Sequence, residues 1–132
     1  MDISVGAHLA SVNGDTLQVS FRGNVHQSDV LEFFRLAEQI MAEHGLYYVI
    51  ADISGLGSIL PDARRESAKW GPGKQVAGTV FFGGSVAARA VMTLTMRAVN
   101  LIRSDAYPVA FVKTEADAKA WLAAQRQKRS VR

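Results

Sequence analysis

The sequence predicts a single α/β domain built on an open mixed sheet of five strands. The length of 132 residues suits one domain, the chain opens with a hairpin signal, and apolar runs then alternate with amphipathic segments. A strand followed by a helix and another strand of the same sheet needs a crossover connection, so this alternation indicates a largely parallel sheet. The predicted order of elements is ββαβαβαβα, with the helices packed on the sheet.

The first three elements are a β-hairpin and a helix. Two strand-like runs, at residues 8–12 and 16–21, flank Asn13-Gly14, and an Asn-Gly pair readily adopts the positive φ angles of a tight turn. Ser28 is then the expected cap of a helix whose apolar residues recur at spacings of three and four. Gly45 is the expected C-terminal stop of this helix.

The rest of the chain supplies three strand-helix units. The strands are predicted over residues 47–53, 76–82 and 107–112. The helices that follow them are predicted over residues 61–70, 85–103 and 115–125. Pro61 suits a first helical turn because its φ angle is fixed, and Ser85 and Thr114 are expected N-caps.

The composition excludes several classes of site. The chain has no cysteine, which removes disulfides, thiolate metal sites and cysteine nucleophiles and suits a reducing compartment. It also lacks a signal-peptide pattern and an uninterrupted run of about 18 apolar residues. We therefore expect a cytoplasmic protein that does not span a membrane.

The basic character lies at the C-terminal end. The chain has 15 Lys and Arg against 12 Asp and Glu, and Arg126, Lys128, Arg129 and Arg132 are four of the basic residues. We interpret residues 1–125 as the domain and residues 126–132 as a flexible basic tail. A solvated helix end is the preferred interpretation of that tail over a phosphate-contacting arm, so nucleic acid is not an expected partner.

Three segments resemble a known family. They are the run that ends in Asp52-Ile53-Ser54-Gly55, residues 76–85 with the helix that follows, and the last strand-helix unit at residues 107–122. They are similar to the STAS domain superfamily, and more closely to its bacterial SpoIIAA-like group, over nearly the whole chain. The resemblance implies the fold of anti-sigma factor antagonists, a regulatory protein partner and features shared with the lipid-binding CRAL-TRIO fold.

The resemblance also bears on phosphorylation near the first segment. Family members that act as phospho-switches carry Asp-Ser-Ser-Gly, and a kinase phosphorylates the first serine. In one alignment the phosphorylated position falls on Ile53, and in the other it falls near Ile59 and Leu60. Neither alignment places a hydroxyl group at that position. We expect no conventional phospho-switch. Asp52, Ser54 and Ser58 remain candidates for interaction or phosphorylation, with loop capping by Asp52 and Ser54 as the alternative.

A second candidate site follows the strand at residues 76–82. Gly83, Gly84 and Ser85 would present free N–H groups at the start of a helix, and Arg89 follows one turn later, so these residues are candidates for binding an anion or a ligand. The same residues are also typical of an ordinary strand-to-helix turn.

The helix at residues 85–103 has an unusually broad apolar arc. Met92, Met96 and Val99 form a line beside the stripe that would face the sheet. Methionine adapts to irregular surfaces, so this line is a candidate face for an apolar ligand or for a second copy of the chain. The alternative is that neighbouring helices cover it.

No catalytic arrangement is evident. His8, His26 and His44 lack the spacing of metal ligands and are expected in surface or capping roles, and there is no GxSxG motif. We expect a non-enzymatic protein without cofactor or metal. The leading hypothesis is a STAS-like regulatory or protein-interaction module. The alternative is a binder of a small apolar or lipid-like ligand, which predicts an apolar cavity between the sheet and the helix that carries Met92.

Overall fold

The computed structural model describes residues 2–70, 76–102 and 108–130 of the chain. Within these ranges it contains six strands and four helices. In chain order they are β1 (Asp2–Val5), β2 (His8–Asn13), β3 (Thr16–Val25), α1 (Gln27–His44), β4 (Tyr47–Ile59), α2 (Pro61–Trp70), β5 (Val76–Phe82), α3 (Val86–Ile102), β6 (Val109–Val112) and α4 (Glu115–Ser130).

All the strands belong to one mixed sheet in the order β1-β2-β3-β4-β5-β6. The first three strands pair antiparallel, and β3 to β6 pair parallel. The prediction of an α/β fold with a mixed, largely parallel sheet is therefore confirmed. The prediction of five strands is wrong, because residues 2–5 add an edge strand beside β2. With only Ile3 and Val5 as apolar residues, this strand carries too short a pattern to be recognised.

β4 is longer than the run predicted over residues 47–53. Up to Asp52 it lies between β3 and β5 and pairs with both. Beyond Asp52 it follows β3 alone, with Gly55 opposite Arg22 and Ile59 opposite Val25. The glycine-containing segment that the sequence predicts as a loop is therefore strand.

Two of the three predicted N-cap residues, Ser85 and Thr114, cap their helices, and the third, Ser28, does not. Ser85 Oγ accepts a hydrogen bond of 3.1 Å from the Ala88 N–H, and Thr114 Oγ1 accepts one of the same length from the Asp117 N–H. α1 instead begins one residue before Ser28, at Gln27. Its start is stabilised by Asp29, whose Oδ2 accepts a hydrogen bond of 2.9 Å from the His26 N–H.

The helices cover both faces of the sheet. α1, α2 and α3 contact one another in turn and cover what we call the three-helix face, and α4 packs on the opposite face. The smaller core under α4 includes Tyr48, Ile50 and Val80 from the sheet, with Ala118 and Leu122 from the helix. No helix of the described ranges is both long and apolar enough to cross a membrane.

α4 continues five residues past its predicted end at residue 125 and reaches Ser130. Arg126, which the sequence analysis assigns to the tail, lies in this helix and contacts the turn of the first hairpin. Its Nη2 lies 2.8 Å from Oδ1 of Asp15, its Nε lies 3.3 Å from Oδ2, and its guanidinium lies 5.0 Å from the centre of the Tyr48 ring. These contacts attach the end of α4 to the start of the chain.

Candidate functional site

An apolar cavity of about 150 Å³ lies between the sheet and the three helices that cover its larger core. Strands β3, β4 and β5 supply its floor, and α1, α2 and α3 supply its walls. The described residues that line it include five aromatic side chains, which are Phe21, Phe33, Phe34, Tyr47 and Phe81. None of the described lining residues is charged.

The local structure explains why these side chains meet. Leu17, Val19 and Phe21 alternate along β3 and therefore point to the same face of the sheet. Phe33 and Ala37 are four residues apart on α1, so they lie one turn apart on the same side of the helix. The cavity lies where these two patterns face each other.

One serine and two threonines interrupt the apolar lining, in addition to the phenol group of Tyr47. Ser67 Oγ donates to the Ala63 carbonyl at 3.0 Å, and Thr95 Oγ1 donates to the Val91 carbonyl at 3.0 Å. Thr79 differs from both. It is 4% exposed, and its hydroxyl makes no hydrogen bond with any residue that the structure describes. A buried hydroxyl without a partner costs about 1–3 kcal/mol, so a bound molecule that paired with it would be favoured.

Met92, the first residue of the predicted methionine line, is 4% exposed and lines this cavity. Its burial is compatible with contact to an apolar ligand and leaves it no surface for a second copy of the chain. The side chains of Met96 and Val99 lie outside the described residues. Among the described residues of the same helix, Val86 and Leu94 are large apolar side chains that are exposed.

The candidates on β4 form a turn-like contact where this strand separates from β5. Oδ1 of Asp52 accepts hydrogen bonds from the Ser54 N–H at 2.9 Å and from Ser54 Oγ at 2.7 Å. Ser58 lies six residues beyond Asp52, or about 20 Å along a strand, and its N–H donates to Asn24 Oδ1 at 2.9 Å. The hydrogen bonds between Asp52 and Ser54 thus stabilise the local backbone conformation. Ser58 does not take part in them and instead contacts Asn24.

The glycine turn after β5 lies against the same part of β4. Gly83 and Gly84 have φ angles of +72° and +82°, and a Cβ at Gly83 would lie 3.2 Å from Oδ1 of Asp52. The structure therefore brings Asp52 and Ser54 together with this turn. A carboxylate so close would repel an anion, so the geometry does not favour anion binding there. Arg89 Nη2 lies 3.4 Å from the Val112 carbonyl oxygen, at the end of β6.

Apart from Met92, the residues that line the cavity were not predicted as a site from the sequence. Their spacing predicts only that they face the core, and the same spacing is expected whether the core is filled or hollow. One visible signal was Thr79, a hydroxyl-bearing residue inside the apolar run of β5.

The prediction for His8 was also wrong, because this side chain is buried rather than at the surface. In the described ranges, no group of three or more side chains is placed to hold a metal ion.

Comparison with known proteins identifies no relative of this chain. No protein-family model, curated protein or solved structure matches this chain. The resemblance to the STAS superfamily therefore stays a prediction from the three sequence segments that carry it.

Proposed function

We propose that the protein binds a small apolar ligand in the cavity between the sheet and the three helices. The observation that carries this proposal is an apolar space of about 150 Å³ next to Met92. An engineered apolar cavity of about this size in another protein stays dry and binds benzene. Because pockets for drug-sized ligands measure about 300–1,000 Å³, the proposed ligand is a single ring rather than a long-chain lipid.

The chemistry of the lining supports such a ligand. Aromatic side chains from β3, α1, β4 and β5 surround the space, and Phe21 and Phe33 already meet edge to face with ring centres 5.8 Å apart. A further ring would make the same kind of contacts, and its apolar surface would be removed from water on all sides. Binding would require no charged group in the ligand, since the described lining offers none.

Toluene is a suitable probe because its ring and single methyl group are of the size that the cavity admits. At ten times its Kd, a ligand that binds only the folded protein stabilises it by about 1.4 kcal/mol. We expect this to raise the midpoint of thermal unfolding by about 5 °C for a chain of this length. The measurement is circular dichroism at increasing toluene concentration.

A cavity-filling substitution separates binding in the cavity from binding elsewhere. Ala37 is buried and lines the cavity, so Ala37→Leu should occupy the space and abolish the effect of toluene on the midpoint. Ala42→Leu adds the same atoms at an exposed position of the same helix and should leave the effect intact. An equal toluene effect in wild-type protein and Ala37→Leu, or no effect in wild-type protein, would reject the proposal.

A second candidate is the STAS-like regulatory or interaction module, with another copy of the chain as its simplest partner. The order ββαβαβαβα from β2 onward supports the relation to that superfamily, although β1 precedes it. Val86 and Leu94, which are 85% and 61% exposed on α3, supply apolar surface for a partner. Light scattering on the samples used for the toluene experiment tests self-association, and the mass of a single chain at high concentration would reject it.

A further inference from the structure

We infer that the cavity selects an aromatic ring that carries one hydroxyl group, a ligand of the phenol class, and that Thr79 recognises this hydroxyl. The inference rests on the proposed function and specifies its ligand. It combines three properties of the same cavity: its aromatic lining, a Thr79 hydroxyl without a partner among the described residues, and a described lining without charged side chains.

The aromatic lining favours a ring over an aliphatic molecule of equal size. The five aromatic side chains come from four different elements and so face the space from several directions. Aromatic pairs gain from edge-to-face and offset-stacked arrangements beyond the burial of their surface. A flat ring among them can use both its face and its edge.

The serine and threonine hydroxyl groups of the lining differ in what they offer a ligand. Ser67 and Thr95 have committed their hydrogens to helix carbonyl oxygens, so they can only accept from a ligand. The Thr79 hydroxyl can donate and accept, because no described residue is bonded to it. A ligand hydroxyl suits this combination, since it too both donates and accepts.

The described lining carries no charged side chain, and this disfavours charged aromatic ligands. A carboxylate or an ammonium group would be taken out of water with no opposite charge among the described residues of the lining. Aromatic acids and amines in their charged forms are therefore not accepted, and a neutral phenol is.

Calorimetric titration of phenol and toluene into wild-type protein and Thr79→Val tests the assignment. The two probes share a ring and differ in a hydroxyl against a methyl, and valine replaces the threonine hydroxyl with a methyl of similar size. The ratio of the toluene Kd to the phenol Kd should fall by roughly 3- to 10-fold in Thr79→Val, which is the worth of one neutral hydrogen bond.

Thr93→Val is the matched control. Thr93 lies on α3 outside the cavity lining, and its Oγ1 donates to the Arg89 carbonyl at 2.7 Å, so the same substitution there should leave the ratio unchanged. Thermal unfolding without ligand supplies a second readout. Thr79→Val should be as stable as wild-type protein or more stable, because the hydroxyl that it removes has no described partner.

The outcomes distinguish the inference from the function on which it rests. If toluene and phenol both bind wild-type protein but Thr79→Val leaves their ratio unchanged, the cavity binds apolar rings and Thr79 does not select among them. A large loss of stability in ligand-free Thr79→Val would likewise overturn the role of Thr79, because its hydroxyl would then serve the fold. If neither probe binds wild-type protein, the proposed function and the inference fail together.

Discussion

At the residue scale, a buried histidine joins the opening strands to α1. The His8 side chain is fully buried, and its Nδ1 accepts a hydrogen bond of 2.8 Å from the Arg22 N–H. Its proton is therefore on Nε2, which lies 3.0 Å from the Asn24 carbonyl oxygen and 3.3 Å from Oδ2 of Asp29. Both ring nitrogens are used by the fold, so His8 is structural.

Gly6 is the second residue on which this junction depends. It has a φ of +59°, and a Cβ built on it would collide with Oδ1 of Asp29. The other oxygen of that carboxylate is held by His26 and His8, so Asp29 cannot easily move away. Glycine is required here for two reasons, its φ angle and the space.

Gly14 provides a matched comparison for a stability prediction. Its φ is +58°, and nothing lies within 4 Å of a Cβ built on it. Gly14→Ala should cost about 1 kcal/mol for the left-handed backbone alone. Gly6→Ala should cost a further 1–3 kcal/mol or so, because the methyl group collides with Asp29. Urea unfolding of both variants measures the difference in the free energy of unfolding. Equal decreases would show that the Asp29 side chain moves aside without cost.

The residues that the sequence predicts correctly at this scale are those with local causes. The predicted hairpin turn is present, although it falls at Gly14 and Asp15 because Asn13 still pairs with Thr16. Ser85 and Thr114 cap the helices that begin directly after them. His8 was misjudged because its partners, Arg22 and Asn24, are 14 and 16 residues away in sequence. No local pattern reports a contact across that separation.

At the element scale, the largest departure from prediction is the second half of β4. Gly55 and Gly57 indicate a turn when they are considered locally. In the fold they permit close pairing instead: a Cβ on Gly55 would lie 2.7 Å from the Phe21 carbonyl oxygen. Asp52 and Ser54 stand where the strand leaves β5, which explains why the segment resembles a polar loop.

The contact between α4 and the first hairpin gives a pH-dependent prediction. The hydrogen bond from Arg126 holds the pKa of Asp15 below its ordinary value, against the opposing effect of burial. Because the pKa is lower in the folded protein than in the unfolded chain, Asp15 contributes stability that is fully present above about pH 4. That contribution is lost as the pH falls through the folded-state pKa.

Arg126→Met should remove this contribution while retaining much of the side-chain stem. We expect a loss of about 0.2–1 kcal/mol at pH 7, since both side chains are partly exposed. The difference from wild-type protein should shrink below about pH 4. Arg129→Met changes an exposed arginine of the same helix and should cost less. Urea unfolding across the pH range provides the values, and a difference that did not change with pH would argue against the ion pair.

At the scale of the whole molecule, the cavity arises from how the helices sit on the sheet. The strand and helix patterns were sufficient to predict the α/β class, the mixed sheet and the core-facing side chains. They allowed a cavity beside Met92 as one alternative but could not decide for it or give its volume, because that volume depends on the distance between the three helices and the strands beneath them. The single helix α4 leaves the opposite face with a smaller core.

The arrangement assigns different roles to the two candidate regions. The turn at Gly83 and Gly84 with Asp52 is a packed junction between strand ends. The cavity on the three-helix face is the region with space, apolar walls and one hydroxyl without a described partner. For this reason the proposed function is placed in the cavity.

The most direct measurement is an NMR titration with toluene that observes methionine methyl groups labelled with carbon-13. Met92 lines the cavity, whereas Met41 on α1 does not, so the two methyl groups compare the cavity with the nearby core. Substitution of each by leucine assigns its signal. We predict a shift of the Met92 signal and a nuclear Overhauser effect between its methyl group and toluene, with neither at Met41. An unchanged Met92 signal without that effect, at toluene concentrations up to its solubility limit, would contradict the proposed binding site.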